Sequence, residues 1–464
     1  MFALRTCPLL LFLLLPSYLQ AARILALFPI PSPSHYYYAL PYLKSLAMKG
    51  HQVTSLNPYP QKQPMENFRD IPIPEVFDNL EEFLSRAIQT TSLWASNNIC
   101  NEYCVNLTKA VLNNDQVRRE ILKPGAAQFD LIVMDLWRLD ALYGLAGYFD
   151  APIIGLAPYG TDWKIDELVG NTSPSSYLHL PTTTHAFPDR DTYFGRLNHF
   201  VERAVSWVNW RWKFLPKHEQ IYGKYFGREA EKVSLSKIAS NFALILVNQH
   251  FTLAPPRPYV PNMIEVVGLH IDDQQPKKLP KDMEDFIQGS GEAVLAHPKV
   301  KLFITHGGML STVESLHYGK PMLGLPCFFD QFRNMDHVQR MGLGLVLSHQ
   351  EMTAADFKSA LLRLLTEESF ALNAKETSKR YRDQPMTSLA KANWWTEYIL
   401  RHKGAAHMRV AGREMDFFTY HSLDVIGTLL GGALVCLVLI VALLWQLPRL
   451  AGLGQSKQKK LKNL

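Results

Sequence analysis

The sequence predicts an α/β protein of two domains with parallel sheets, followed by one membrane-spanning helix. Two stretches, beginning at Arg23 and at Lys301, have the pattern of a buried strand, a turn, a helix and a further strand. A third stretch, residues 425–445, is a run of 21 residues without a charge. Because strand, helix and strand in succession is the unit of doubly wound sheets, we expect two Rossmann-like domains that face each other across a cleft.

Length and composition agree with this architecture and exclude some functions. The chain has 464 residues, a length that is enough for two or three ordinary domains. Its residues are 47% hydrophobic and its formal net charge is +6, which is typical of a folded protein. The Lys and Arg residues are scattered and accompany no recognition motif, so no nucleic-acid partner is expected.

The first domain, residues 22–240, begins with a strand and presents a candidate base. Residues 23–28 form a buried type of strand, and a short loop leads into a helix from His35. His35 therefore lies at the carboxyl edge of the first strand, where α/β proteins bind ligands. An unperturbed imidazole pKa of ~6.5 allows it to accept a proton near neutral pH. His51 is its rival, but it lies in a turn at the opposite edge and is expected to be structural.

An aspartate ends another buried strand of this domain. Residues 129–135 form that strand and finish at Asp135. An aspartate near a histidine can hold the imidazole tautomer and stabilise the imidazolium, as in a catalytic triad. Asp130 begins the strand and Asp140 follows in a helix, so both are weaker candidates.

The second domain, residues 241–420, contains the segment around which the chain is organised, residues 301–331. Its first strand leads into a turn at residues 305–308, which contains His306, Gly307 and Gly308, and a helix then begins. Glycines let a ligand approach the backbone closely, and the N–H groups of residues 309–312 form an anion site at the helix start. This arrangement suits a diphosphate.

The same segment ends its second strand close to Asp330 and Gln331. These two side chains can accept and donate several hydrogen bonds, which suits a sugar, and a nucleotide sugar supplies both a diphosphate and a sugar. The alternative is that the glycines form only a tight turn and that Asp330 and Gln331 only cap a helix. The occurrence of both motifs in one βαβ unit favours the ligand site.

The motifs FITHGG, GKPMLGLP and FFDQFRN, together with Glu314, resemble the donor-binding signature of the membrane-bound UDP-glycosyltransferases, with insect-like features. The resemblance implies a GT-B-like fold and inverting transfer of glucose or glucuronate from a UDP-sugar to a hydroxyl of a small lipophilic acceptor. It implies that His35 is the base and Asp135 its partner, with no metal or other cofactor. It places the diphosphate at His306, the ribose at Glu314 and the sugar at Asp330 and Gln331. The implied donor-side residues are His306, Gly307, Gly308, Ser311, Thr312, Glu314, Asp330 and Gln331.

The chain departs from the family near residues 292/293. Family members carry a longer segment there, with a strand and Ser-rich turn that hold the diphosphate and a Trp-x-Pro-Gln segment that stacks on uracil. Here residues 289–292 run directly into residues 293–298, so the second domain is predicted to be incomplete by about two βα units. Two alternatives to an active enzyme follow: a catalytically impaired isoform that regulates full-length relatives by association, or a lipophile-binding protein. Neither the sugar nor the acceptor is specified.

The ends of the chain predict targeting to a membrane. Residues 1–21 have the composition of a cleaved signal peptide, and residues 425–445 are long enough to cross the ~30 Å hydrocarbon core as a helix. The basic tail, residues 446–464, places the body in the lumen by the positive-inside rule. Lys460 and Lys462 resemble a dilysine retrieval signal, which predicts a single-pass type I protein of the endoplasmic reticulum. The alternative is a basic patch that only contacts lipid.

Several further patterns bear on partners and modification. Asn106 and Asn171 begin glycosylation sequons, and Cys100 and Cys104 could either pair or simply pack on a helix face. The aromatic and basic stretch of residues 193–232 predicts an amphipathic helix pair, either an ordinary core face or, by resemblance, a wall of the acceptor pocket that touches the bilayer. Residues 189–191 match an Asp-x-Asp metal motif but lack a preceding strand. Association with copies of itself or with related transferases is possible by resemblance.

Overall fold

The computed structural model describes residues 21–90, 93–125, 127–178, 192–271 and 294–461. It divides into two compact units, Met1–Arg409 and Val410–Leu464. All strands of the described residues belong to the first unit. The α/β fold class predicted from the sequence is confirmed.

The first sheet contains seven parallel strands in the order β3-β2-β1-β4-β5-β6-β7. The central strands are almost entirely buried, as expected for a parallel sheet covered on both faces. The strands are β1 (Arg23–Leu27), β2 (Gln52–Asn57), β3 (Phe68–Pro72), β4 (Leu131–Asp135), β5 (Ile153–Ala157), β6 (Phe242–Val247) and β7 (Met263–Glu265).

This sheet crosses the domain boundary predicted near residue 240. β6 pairs with β5 from Phe242↔Ile153 to Val247↔Ala157, and β7 continues on its far side. Residues 242–265 therefore complete the first sheet and do not open the second. A buried apolar run has the same appearance in the middle of either sheet, so its sequence alone does not say which one it joins.

Ten α-helices lie between β1 and β6 along the described residues. The predicted helix pair of residues 193–232 is present as two long helices joined by a π-helical turn at Trp210–Phe214. The helices are α1 (Pro33–Met48), α2 (Leu80–Gln89), α3 (Leu93–Asn113), α4 (Asp115–Glu120), α5 (Gly144–Phe149), α6 (Trp163–Val169), α7 (Tyr193–Asn209), α8 (Leu215–Phe226), α9 (Arg228–Lys232) and α10 (Leu235–Ala239).

The second sheet has three parallel strands in the order β10-β9-β8 within the described residues. The predicted strand, glycine turn, helix and strand of residues 301–331 are all present. The predicted discontinuity at 292/293 lies outside the described residues. The elements are β8 (Phe303–Thr305), α11 (Met309–His317), β9 (Met322–Gly324), α12 (Asp330–Arg340), β10 (Gly344–Val346), α13 (Ala354–Thr366), α14 (Glu368–Arg382) and α15 (Ser388–Arg401).

Helix α15 returns to the first sheet. The Tyr42 hydroxyl lies 2.6 Å from that of Thr396, and the Ser45 hydroxyl donates to Asn393 at 2.8 Å. These buried contacts join α15 to α1, the helix that begins beside His35. The end of the first unit thus stabilises the element that carries the predicted base.

The second unit contains α16 (Phe417–Tyr420) and α17 (Leu423–Leu461). Within α17, the segment Leu423–Gln446 has a mean hydropathy of 2.7 and is long and apolar enough to span a bilayer. It includes the whole predicted span of residues 425–445. Residues 1–20 of the predicted signal peptide and residues 462–464 of the tail lie outside the described residues.

Candidate active site

The chain places His35 in the first turn of α1, directly after β1. Ser32 precedes the helix with an extended backbone, and Pro33 occupies the first helical position, where its missing N–H leaves no bond unmade. This local geometry ends the β1 loop and presents His35 at the carboxyl edge of the sheet, as predicted.

His35 and Asp135 form a hydrogen-bonded pair. Strands β1 and β4 are neighbours with Leu27 opposite Met134, so the residues that follow them meet at one edge. The distance from His35 Nδ1 to Asp135 Oδ2 is 2.6 Å, and the Asp135 side chain is fully buried. Because Nδ1 is held by the carboxylate, Nε2 is the nitrogen left for a substrate.

The surroundings of this pair favour the protonated imidazole. Burial lowers the pKa of His35, but the charge and hydrogen bond of Asp135 and the charge of Asp330 together raise it by more. The net result is that the pKa of His35 lies above its ordinary value. A base with a raised pKa holds the proton it takes more firmly.

A pocket opens over His35 and brings the two sheets together at one site. Its aromatic side chains lie close to the imidazole, with ring centroids 5.9 Å away for Trp137 and 6.1 Å for Tyr159. Asp330, predicted to bind the sugar, lines the same pocket from the second sheet. The lining residues are His35, Trp137, Arg138, Tyr159, Asp162, Phe329 and Asp330.

Phe329 positions Asp330 at this pocket. Its φ of 54° is in the left-handed region, which is uncommon for a bulky residue. Its ring lies 6.1 Å from that of Phe83 and 6.3 Å from that of Trp137, both from the first sheet's side. Sequence reasoning missed Phe329, Trp137 and Tyr159, although Trp137 and Phe329 each lie within a few residues of a predicted strand end.

On the donor side, Gly307 and Gly308 form the turn that was predicted. Gly307 has a φ of 81°, and a Cβ there would overlap the Met335 side chain. Gly308 is the N-cap of α11 and has no side chain to block the helix start, and the exposed imidazole of His306 lies beside it. The structure therefore presents an uncapped helix N-terminus with a histidine next to it, which suits an anion.

The first turn of α11 contains Ser311 and Thr312, both predicted to meet the donor. Ser311 is partly exposed, whereas Thr312 is buried and its hydroxyl donates to the Gly308 carbonyl at 3.0 Å. The Thr312 hydroxyl thus stabilises the helix start. Thr312 would therefore act in donor binding by holding the helix start in place, without direct contact between its hydroxyl and the ligand.

Glu314, the predicted ribose ligand, faces another residue that sequence reasoning missed. Its Oε1 atom lies 3.3 Å from His270 Nε2, and the Glu314 side chain is 39% exposed. Glu314 is thus accessible to a ligand. His270 lies in the turn after β7, and no role was predicted for this turn from the sequence.

Asp330 and Gln331 have different surroundings. Asp330 accepts a hydrogen bond from Asn334, which also donates to the Gly307 carbonyl and so ties the two donor loops together. The Gln331 side-chain oxygen instead accepts from the backbone N–H groups of Cys327 and Phe328 at 2.8 and 3.1 Å. Only the amide hydrogens of Gln331 are therefore left for a sugar hydroxyl.

The rival candidates have structural surroundings. His51 is buried and accepts from the Ala22 N–H at 3.2 Å, Asp130 pairs with Arg23 at the surface, and Asp140 pairs with buried Lys164 at 2.5 Å. Cys100 and Cys104 are buried and free in the described part of the chain. No group of three or more metal-ligating side chains occurs among the described residues, and the Asp-x-Asp stretch at 189–191 lies outside them.

The His35–Asp135 pair shares a pocket with Asp330, and the second sheet also carries an uncapped helix N-terminus, an arrangement that fits a glycosyltransferase that uses a nucleotide sugar. The family described as UDP-glucoronosyl and UDP-glucosyl transferase matches residues 34–294 and 292–450. The chain belongs to this family. The two matched segments meet where the sequence analysis places the missing residues.

Two relatives from different animals agree with this assignment. UDP-glycosyltransferase UGT5 of Dactylopius coccus is 30% identical, with 93% of each chain covered, and UDP-glucuronosyltransferase 2A3 of Cavia porcellus is 28% identical, with 88% and 90% covered. The first alignment extends over 502 positions, whereas 93% of 464 residues is about 432, so about 70 positions face gaps in this chain. The calicheamicin glycosyltransferase CalG4 has a TM-score of 0.47 at 16% identity, covering 82% of this chain and 99% of its own.

Proposed function

We propose that the site transfers a hexosyl group, glucose or glucuronate, from a UDP-sugar to a hydroxyl of a small lipophilic acceptor with inversion at the anomeric carbon. The observation that carries this proposal is the shared pocket of His35 and Asp330. It supports a geometry in which an acceptor hydroxyl at the base also faces the sugar of the donor. Trp137, Tyr159 and Phe329 contribute aromatic surface to the pocket, which favours acceptors with a lipophilic ring.

Each residue then has one role in the reaction. The acceptor hydroxyl gives its proton to His35 Nε2 as its oxygen forms the bond to the anomeric carbon, and Asp135 stabilises the resulting imidazolium. The bond to UDP breaks on the opposite face of the sugar, which inverts the configuration. The α11 N-terminus and His306 stabilise the charge that develops on the leaving diphosphate.

The direct test of this function is product formation. The chain, with the missing segment restored from a relative, is incubated with 1-naphthol and either UDP-glucose or UDP-glucuronate, and the product is examined by NMR. The α-linked donors should yield a β-glycoside. A product of retained configuration, or no product with any of a panel of phenols, would contradict the proposal.

Asp330→Ala is expected to weaken discrimination between donors. The Asp330 carboxylate lies in the pocket and is held only by Asn334 among the described residues, so it is available to sugar hydroxyls. Its loss should reduce the ratio of kcat/KM for the preferred over the poorer UDP-sugar about tenfold, the magnitude expected for one hydrogen bond to a charged group. Asn334→Ala is the matched control, because it removes the hydrogen bond that holds Asp330 but keeps the Asp330 carboxylate. An unchanged ratio in Asp330→Ala would remove its role.

We also propose that the body lies in the lumen of the endoplasmic reticulum, anchored by Leu423–Gln446 as a type I protein. The membrane-spanning length of this segment and the basic residues that follow it support this orientation. The exposed apolar side chains of α7, among them Phe194, Leu197 and Trp207, are suited to contact the bilayer surface.

Glycosylation tests this placement, because the two sequons differ in the structure. Asn106 is exposed on α3, whereas Asn171 is 9% exposed and donates to Asp166 at 3.0 Å. A glycan attached to Nδ2 would have to displace the residues that bury this amide, so we expect one glycan only. Asn106→Gln should abolish the mobility shift on deglycosylation and Asn171→Gln should leave it unchanged. Absence of any glycan on the unaltered chain would argue against a luminal body.

A further inference from the structure

We propose that Arg138 binds an anionic group on the acceptor, so that the preferred acceptors are hydroxy acids. This inference rests on the proposed function and adds the substrate class. Arg138 lies three residues after Asp135 and lines the pocket of His35. A molecule whose hydroxyl meets His35 therefore has a guanidinium within the same pocket.

The hydrogen bonds of Arg138 are made to neutral groups. It is 9% exposed, and its Nη1 donates to the amide oxygens of Asn97 and Asn101 at 3.3 and 3.0 Å. These two asparagines are one turn apart on α3, so they hold one edge of the guanidinium. In the described residues, Nε and Nη2 make no hydrogen bond.

Two other buried cations of the described residues are paired with carboxylates, whereas Arg333 donates to the Tyr159 carbonyl. Lys164 lies 2.5 Å from Asp140, and Arg257 lies 2.8 Å from Asp166. No carboxylate of the described residues is within ion-pair distance of Arg138. Burial lowers the pKa of the Arg138 guanidinium, but nearby charges, that of Asp162 foremost, raise it by more. Arg138 is therefore a stable buried cation that has no direct carboxylate partner in the described residues.

The nearest candidate for internal compensation is Asp162, which lines the same pocket. Its Oδ1 atom accepts from the backbone N–H groups of Lys164 and Ile165 at 2.9 and 3.0 Å, because Asp162 caps α6. This cap fixes Asp162 beyond ion-pair distance of the guanidinium. Asp162 therefore leaves a place for a second anion at Arg138.

The backbone at Arg138 adds an independent observation. Its φ of 60° is in the left-handed region, which is uncommon for residues other than glycine and asparagine. Such conformations are retained mainly where the surroundings enforce them and often accompany functional sites. At this position the left-handed backbone directs the Arg138 side chain into the pocket that also contains His35. The Nε and Nη2 edge matches the two oxygens of a carboxylate, the group that arginine binds in a bidentate manner.

Binding of matched probe pairs tests the proposal with the chain as it exists, because all residues that line the pocket of His35 are among the described residues. The probes are 4-hydroxybenzoate and 6-hydroxy-2-naphthoate, each with its methyl ester, titrated calorimetrically into detergent-solubilised protein. At least one acid should bind about tenfold or more tightly than its ester, as expected for hydrogen bonds to a charged group. Equal affinities for both pairs would overturn the proposal.

Variants then locate the effect. Arg138→Gln, which can still donate to the asparagines, should lower affinity for the preferred acid about tenfold and leave the ester within about twofold. Arg138→Lys should retain part of the preference, and Arg86→Gln, on the surface, serves as the matched control. A preference for the acid that survives in Arg138→Gln would overturn the role of Arg138. If neither acid nor ester binds, the acceptor pocket itself is wrong, whereas ester binding without acid preference counts against Arg138 alone.

Discussion

Replacement of His35 by alanine is expected to lower turnover by ~10²-fold or more while the apparent affinity for the UDP-sugar stays near its starting value. His35 Nε2 is the free nitrogen of a base whose other nitrogen is held at 2.6 Å by a fully buried carboxylate. Its removal leaves the acceptor proton without a defined recipient. The measurement is steady-state kinetics on a chain in which the corresponding segment of a relative is inserted between Glu292 and Ala293.

His51→Ala is the matched control for this experiment. His51 is also a buried histidine of the first sheet, but it lies at the opposite edge and bonds the Ala22 backbone. Its loss should affect stability and not turnover in the remaining folded protein. Unchanged turnover in His35→Ala, or an equal loss in His51→Ala, would place the base elsewhere.

The chain as it stands is expected to show no saturable UDP binding by calorimetry at millimolar ligand, whereas the chain with the restored segment should bind. In the described residues the second sheet has only three strands, and Ile304 of its outer strand β8 is 46% exposed, which is unusual for a parallel sheet. A base–aromatic stack alone contributes ~1 to 3 kcal/mol to nucleotide binding. The chain lacks the family's Trp-x-Pro-Gln segment that supplies this stack.

The insertion needs a control that separates binding from folding. An insert of equal length in which the Trp of the Trp-x-Pro-Gln segment is replaced by Ala should restore the sheet but not the stack. It should bind UDP about tenfold or more weakly than the intact insert. Micromolar UDP binding by the chain without any insert would contradict this account, because His306, Glu314 and the α11 N-terminus would then suffice.

The parts of the site that could be predicted from the sequence are those fixed by strand ends. His35 and Asp135 follow neighbouring parallel strands, so their meeting required only the topology of a doubly wound sheet. The same topological rule predicted that the Gly307 turn and Asp330, which follow neighbouring strands of the second sheet, lie at one edge. Each prediction depended on a local pattern together with one general rule of chain connection.

The remaining features depend on contacts between segments far apart in the chain. Arg138 and Glu314 acquire their surroundings from α3 and from the turn after β7. Phe329 reaches the pocket through a left-handed backbone that its sequence does not indicate. Gln331 is a residue type that binds sugars, yet its side-chain oxygen accepts hydrogen bonds from the backbone of the preceding loop. The sequence analysis did not predict that β6 belongs to the first sheet, because the residues of a buried strand do not indicate which strands pair with it.

The most direct test of a single catalytic pocket made by both sheets is the NMR titration of His35 in the chain as it exists. His35 is assigned by comparison with His35→Gln, and its pKa should lie above the ordinary value of about 6.5. Asp135→Asn should lower this pKa strongly because it removes a charge and leaves only a neutral acceptor for the Nδ1–H group. Asp330→Asn should lower it less, because it removes only a more distant charge. A pKa of His35 at or below 6.5, or one that Asp330→Asn leaves unchanged, would contradict the account.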